Sequence, residues 1–228
     1  MIYGGTGRSS VQRVVMMTAQ TIAFAVALWL LMFSGLETLA RALGTHWAAA
    51  VGARRIALAA CFVVVYLRMT LTILYLLKRA ITWEEAVSVA LAFGLYYIVF
   101  SLLAGPVGRP FGALGIIGIV LFLAGSAVNT LSELLRDRWK RDPANKGKLY
   151  TGGLFRYSMH INYFGDVVWV AGLAMITANP WSALVPFLLF CFFAFFNAPQ
   201  LDTHLSAKYG AAFDEYRKHT KRIIPFIY

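Results

Sequence analysis

The chain has 228 residues, 60% of them hydrophobic and 14% charged, with a mean hydropathy of +0.67. An ordinary soluble domain is about 45–50% apolar and about 25% charged, so the composition excludes one and points to an all-α integral membrane protein. The net charge of +11 raises nucleic acid as a partner, but 16 of the 21 Lys and Arg sit in segments that would share one side of a membrane, which argues against it.

Residues 1–13 are polar and glycine-rich, and the apolar run after them lacks a small-residue cleavage pattern. A retained first span is therefore expected rather than a signal peptide. At about 20 apolar residues per crossing, five or six spans emerge. We count six: 14–33, 56–77, 86–104, 111–135, a short 167–176 extendable back to Asn162, and 181–196. The pair Asn179-Pro180 makes a tight hairpin of the last two. One bundle accounts for the length, so the expectation is a single membrane domain, residues 1–228. Four helices (1–135) precede a loop, a helical hairpin and a tail (136–228).

Basic residues concentrate on the cytoplasmic side of membrane proteins. Here Arg8, Arg13, Lys78, Arg79, seven cations from Arg136 to Arg156, and Lys208, Arg217, Lys218, Lys221 and Arg222 fall on one side of a six-span bundle. The other side keeps Arg41, Arg54, Arg55 and Arg109. Both termini are thus expected in the cytoplasm. Arg68 is the exception, midway along the second span; a central arginine costs at least about 2.5–3.5 kcal/mol by insertion scales and should face the bundle or a wet cavity. It contacts a ligand, or pairs with Glu84, Glu133 or a helix C-terminus.

The fourth span carries Gly112, Gly115, Gly118 and Gly125, read as close-packing positions. After it, Arg136, Arg138, Lys140, Arg141, Lys146, Lys148 and Arg156 surround Asn145 and three glycines, Gly147, Gly152 and Gly153. Positive charge with free backbone N–H groups suits nucleotide phosphates; loop topology and anionic lipid also explain it. No Rossmann or Walker fingerprint is present, which excludes a soluble-type nucleotide fold. His160, Asn162, Tyr163 and Asp166 follow within seven residues. Each singly reads as a helix cap or a belt aromatic, but the four together beside Gly165 read as a site. A buried Asp166 would need partners, which Arg156 or the tail cations could supply.

Past Phe196 the chain turns polar, and Leu201, Leu205, Tyr209, Ala212, Phe213 and Tyr216 recur at helical spacing. The tail is expected to be amphipathic and to lie along the interface, with Gly210 able to interrupt it. On one continuous helix Asp202, Tyr209 and Tyr216 share a face and His204 points away from it. Cys61 and Cys191 read as small core residues, and the four histidines show no metal-ligand spacing.

Gly153-Leu154-Phe155-Arg156-Tyr157 followed by His160-Ile161-Asn162-Tyr163-Phe164-Gly165-Asp166 resembles the R-H-x-N-Y-x-G-D signature of Δ14- and Δ7-sterol reductases. The tail from Asp202 to Gly210, then Phe213, Tyr216 and the closing Arg222-Ile223-Ile224-Pro225-Phe226-Ile227-Tyr228, resembles the same family's ending. Steroid 5α-reductases also carry G-G-L-F and a closing I-P-F-I-aromatic. The likeness runs from Ser132 onward; residues 1–135 match only in general character. It implies a membrane-embedded reductase of a carbon–carbon double bond in a steroid-like or other isoprenoid lipid, taking NADPH from the cytoplasmic side. By family position Arg136, Lys140 and Lys148 hold phosphates. Arg156, His160, Asn162, Tyr163 and Asp166 line the cofactor site, and Asp202, His204 and Tyr216 close over it from the tail. Tyr163 and His160 are the candidate proton donors. The implied partners are a lipophilic substrate and membrane lipid, without metal.

Three positions depart from the pattern. Met159 stands where an arginine is usual, Thr203 where an acid is, and Glu133 where Asn or Asp is. A second branch, the isoprenylcysteine and phospholipid methyltransferases, shares R-H-P-x-Y-x-G and a tail with paired glutamates. Ile161 in place of the proline and Asp202 alone in place of the pair make S-adenosylmethionine the second reading. A non-catalytic lipid-binding protein is the third.

Overall fold

The computed structural model describes residues 9–45, 52–105 and 110–228; the expectations that rest on Arg8 and Arg109 lie outside them. Among the described residues there is no strand, only an isolated parallel bridge between Ser158 and Lys221. Among the described residues, five helices are long and apolar enough to cross a membrane: Ser10–Met32, Gly52–Leu76, Trp83–Ala104, Ala113–Lys140 and Pro180–Tyr209. The short span expected at 167–176 falls on a sixth apolar helix, Ile161–Thr177. At 17 residues it is about 26 Å long, the low end of what spans hydrocarbon.

Two compact units make up the chain. One comprises Met1–Val120 and Val170–Val185. In it α1 (Ser10–Met32) packs against α3 (Gly52–Leu71) and α4 (Trp83–Phe93), with the short α2 (Gly35–Ala42) following α1. A π-helical turn, Thr72–Leu76, extends α3, and a second, Gly94–Val99, joins α4 to α5 (Phe100–Ala104). Arg13 of α1 donates to the carbonyls of Ile73 and Leu77 where α3 runs out, so a cation meets the negative end of the helix. The sequence Thr82-Trp83-Glu84-Glu85 starts α4 in the usual way: Thr82 Oγ1 accepts from the Glu85 amide at 3.2 Å. The Glu85 carboxylate turns instead to Arg79, with oxygens at 2.5 and 2.6 Å. The core is aromatic, with Phe24, Phe62 and Phe93 ringing the buried Tyr97. Arg68 lies in the last turn of α3, half-buried, where its charge reaches Tyr97.

The second unit comprises Leu121–Trp169 and Pro186–Tyr228. Helix α6 (Ala113–Lys140) has 28 residues, about 42 Å. That exceeds the roughly 30 Å hydrocarbon core, and the helix continues to Lys140, five residues past the expected end at 135. Helix α7 (Ile161–Thr177) crosses α6 with backbones almost touching. A Cβ on Gly125 would lie 2.4 Å from the Trp169 nitrogen, and one on Gly165 would lie 2.6 Å from the Asn129 nitrogen. Gly118 is as tight, 2.7 Å from the Gly172 carbonyl oxygen within the first unit. The close-packing expectation fails at the other two positions. Gly112 faces open space, and the atoms nearest Gly115 belong to the ring of Phe111, a neighbour in sequence and not another helix. Gly165→Ala should therefore lose at least about 1–3 kcal/mol, because backbone on α6 has no rotamer with which to yield. Thermal unfolding in detergent checks it, with Gly112→Ala as the neutral control.

The last span does not stop where the sequence turns polar. Helix α8 (Leu184–Phe192) continues through a π-helical turn, Phe193–Asn197, into α9 (Ala198–Tyr209). The wider turn absorbs Pro199, which lacks an amide donor and would otherwise clash with the preceding turn. The helix breaks at Gly210, with φ 51° and ψ −129°, a conformation open to glycine. Helix α10 (Ala211–His219) follows, its Phe213 fully buried.

Candidate active site

The candidate residues from Arg136 to Tyr216 all belong to the second unit. The loop after α6 is built locally. Asp142 accepts from the Ala144 amide at 2.9 Å, Asn145 Nδ2 donates to the Trp139 carbonyl at 2.9 Å, and Gly147 turns at φ 78°. Tyr150 then lays its ring 5.1 Å from Trp139 and 5.7 Å from Phe155. Gly153, at φ 56°, passes under it, and a Cβ there would sit 2.7 Å from the Tyr150 hydroxyl. Both the positive φ and the contact explain the second glycine of the pair.

Phe155, buried by this turn, is where loop and tail join. Arg136, paired with Glu133, holds its guanidinium 5.5 Å above the Phe155 ring. From α10 the Tyr216 hydroxyl donates to the Phe155 carbonyl at 2.5 Å. Burial pushes the Tyr216 hydroxyl pKa up, so the group stays a donor well into alkaline pH.

Three residues on, backbone and tail run side by side. The amides of Met159 and His160 donate to the carbonyls of Lys221 and Arg222 at 2.8 and 2.9 Å. The fully buried Ser158 hydroxyl lies 3.0 and 2.8 Å from the carbonyls of Arg222 and Ile223. That register sets Arg222 beside α9. His160, 1% exposed, places Nε2 2.8 Å from Asp202 Oδ1, and Arg222 Nε lies 3.0 Å from Asp202 Oδ2. The second contact is chiefly ionic, because its geometry is off the line of a hydrogen bond. Hydrogen bonding to the Tyr228 hydroxyl, followed by the charge of Asp202, raises the Arg222 pKa. The His160 ring stacks on Tyr163 at 5.2 Å and 14°, and Tyr163 on Phe193 at 4.4 Å and 11°. The result is a three-ring column in which the half-buried tyrosine lies between the buried His160 and the buried Phe193.

The structure thus brings His160, Tyr163 and Asp202 together, and joins Arg136 to Tyr216 through Phe155. Lys140 lies within electrostatic reach of Arg136 and, from the tail, of Lys208. Other expected members behave differently. Asn162 is held by its backbone carbonyl, which accepts from Asn129 Nδ2 at 3.2 Å. Asp166 sits inside α7 and takes its 2.8 Å hydrogen bond from Trp169 Nε1, a neutral donor one turn on. Arg156, one cation proposed to balance it, lies over the Tyr157 ring instead. Asp202 does meet a tail cation, Arg222. Lys148 is exposed, and His204, half-buried, is two residues past Asp202 on α9. At 3.6 residues per turn that is the far side of the helix. Sequence reasoning missed Arg222, Ser158 and Phe193 as members of the site. A cation three residues before the closing Pro225 was the available signal for Arg222. Nothing local marked the other two.

Known proteins bear on this geometry. "3-oxo-5-alpha-steroid 4-dehydrogenase 1" of Homo sapiens is 34% identical over 115 residues, covering 50% of this chain and 42% of the human protein. "Steroid 5-alpha-reductase DET2" of Arabidopsis thaliana is 31% identical over 113 residues, covering 50% and 42%. "Probable O-methyltransferase ustE" of Ustilaginoidea virens is 39% identical over 62 residues, covering 27% and 22%. The chain spans less than half the length of these curated relatives, which bear out the resemblance to steroid 5α-reductases read from the motifs. The model of the family described as "Protein of unknown function (DUF1295)" matches residues 27–221, and the chain belongs to that family.

Proposed function

We propose that the protein is a membrane-embedded NADPH-dependent reductase of a carbon–carbon double bond in a steroid-like or other isoprenoid lipid, its basic segments and both termini facing the cytoplasm. The observation that carries this is the tail's closure on the motif helix. His160, Asp202 and Arg222 lock it beside a set of cations drawn from both loop and tail. Lys140 and Lys208 lie close enough to repel one another. Glu133 and Asp137 also reach Lys140, but each is paired with an arginine, Arg136 and Arg141. Like charges gathered this way favour an anion between them. The donor set fits a nucleotide with several phosphates: exposed Lys140, Lys148, Arg156 and Lys208 for charge, with half-buried Asn162 and Tyr163 beyond them.

NADPH, when bound, would supply a hydride to one alkene carbon. Tyr163 delivers the proton to the other carbon, its hydroxyl recovering one from solvent afterwards. His160 is too buried to reach substrate, and its Nε2 is engaged by Asp202, so its role is to hold the Tyr163 ring parallel to its own. Arg136, Lys140 and Lys148 carry phosphate charge. Tyr216 fixes the turn that presents them.

Titrating NADPH and S-adenosylmethionine against the wild type and Asn162→Ala tests the reading, and separates it from a methyltransferase of the kind that the ustE relative's name describes. Removing a hydrogen-bond partner of a buried cofactor costs about 1–3 kcal/mol, roughly 5- to 150-fold in affinity. NADPH should bind the wild type and bind Asn162→Ala more weakly by that factor. Binding of S-adenosylmethionine alone would overturn the reductase reading.

A further inference from the structure

Residues 223–228, Ile223-Ile224-Pro225-Phe226-Ile227-Tyr228, carry no charged side chain and directly follow Lys221-Arg222. Their backbone closes on itself. The amides of Ile223 and Ile224 donate to the Tyr228 carbonyl at 2.7 and 2.6 Å, and those of Ile227 and Tyr228 donate to the Ile224 carbonyl at 3.1 and 3.0 Å. Pro225 has no amide hydrogen. Four of the segment's five amides are thus paired within it and the Phe226 amide is not, which suits the shallow, headgroup end of a leaflet, where water is within reach, and not its dry centre. Phe226 is held at φ 66°, a strained conformation for a bulky side chain. At this turn Phe226 and Ile227 are 77% and 74% exposed.

The segment's depth follows from its neighbours. Ile223 is buried among Phe193, Ala194 and Ala198. The Tyr228 ring meets the ring of Phe190 at 6.5 Å. Phe190 precedes Asn197, where the last span turns polar, by seven residues, or about 10 Å along the helix. Around it Phe187, Leu188 and Phe192 present the span's exposed apolar face. On the other side Phe226 meets the edge of Tyr157 at 5.8 Å, and the exposed Arg156 lies over that tyrosine. With exposed Lys221, this places two cations beside an apolar tip.

We infer that residues 223–228 form a re-entrant wedge in the leaflet on the loop side of the membrane. Phe226 and Ile227 lie among acyl chains, and Arg156 and Lys221 lie at the phosphates of anionic headgroups. The wedge thus ties the tail, and with it Arg222 and Asp202, to the bilayer. It does not rest on the reductase reading. In a Cys61→Ala, Cys191→Ala background, Phe226→Cys is labelled with a small fluorophore. The protein is then reconstituted in vesicles of mixed phosphatidylglycerol and phosphatidylcholine. Lipid bearing a nitroxide near the top of its acyl chain should quench this probe as strongly as a probe at Phe187→Cys, and aqueous iodide should not. A probe at Lys218→Cys should behave oppositely. If Phe226→Cys is poorly folded, Ile227→Cys takes the same measurement. Iodide quenching matching that at Lys218 overturns the wedge, whatever the activity. Quenching by lipid that is undiminished in Arg156→Gln, Lys221→Gln protein, or in pure phosphatidylcholine, overturns the headgroup part.

Discussion

Arg222→Met is expected to lower unfolding stability by about 3 kcal/mol, the low end of the 3–5 kcal/mol typical of breaking a buried ion pair. The discount follows from exposure: the Arg222 side chain keeps 35% of its surface in solvent, whereas Asp202 keeps 7%. Removing the guanidinium leaves a nearly buried carboxylate with His160 alone. Asp202→Asn should cost less. It keeps an acceptor for His160 and leaves behind only a cation that can turn to water. The double variant should recover part of the loss, with a coupling of about 0.5–3 kcal/mol. Thermal unfolding of all three in detergent decides it. A loss under about 1 kcal/mol for Arg222→Met would make the contact an ordinary surface bridge, leaving the tail held by Ser158 and its backbone partners.

Tyr163→Phe is expected to lower kcat by about 10²- to 10⁴-fold, the usual contribution of a positioned proton donor. The ring column with His160 and Phe193 depends on faces rather than the hydroxyl, so folding should hold and NADPH affinity should fall by no more than the roughly 5- to 150-fold of one lost hydrogen bond. That separation makes the variant informative, because a structural tyrosine would move stability and leave turnover nearly alone. A kcat within a few-fold of wild type would shift the proton to another group. The pH profile of the wild type should then show the ionisation of that group.

Composition and periodicity determined the all-helical membrane class and the approximate spans, because hydrocarbon admits only segments that satisfy their own backbone. Motif chemistry drew attention to 153–166 and to the tail, and the glycine pair was legible because its loop requires φ above zero at Gly153. Tertiary structure decided what the motif residues touch. Asp166 looked like the carboxylate in need of a cation, yet it lies one turn from Trp169, while Asp202 meets both His160 and Arg222 across the chain. Nothing in spacing distinguishes the two, since ion pairs between residues 20 and 42 positions apart depend on how the tail folds back. The same holds for the fourth span's glycines. All four read alike in sequence, and only the crossing with α7 selects Gly118 and Gly125. The uninterrupted passage from α8 to α9 was hidden for a related reason. The polarity change at Asn197 and the proline at 199 both mark a helix end locally, and a π-helical turn carries the backbone past them.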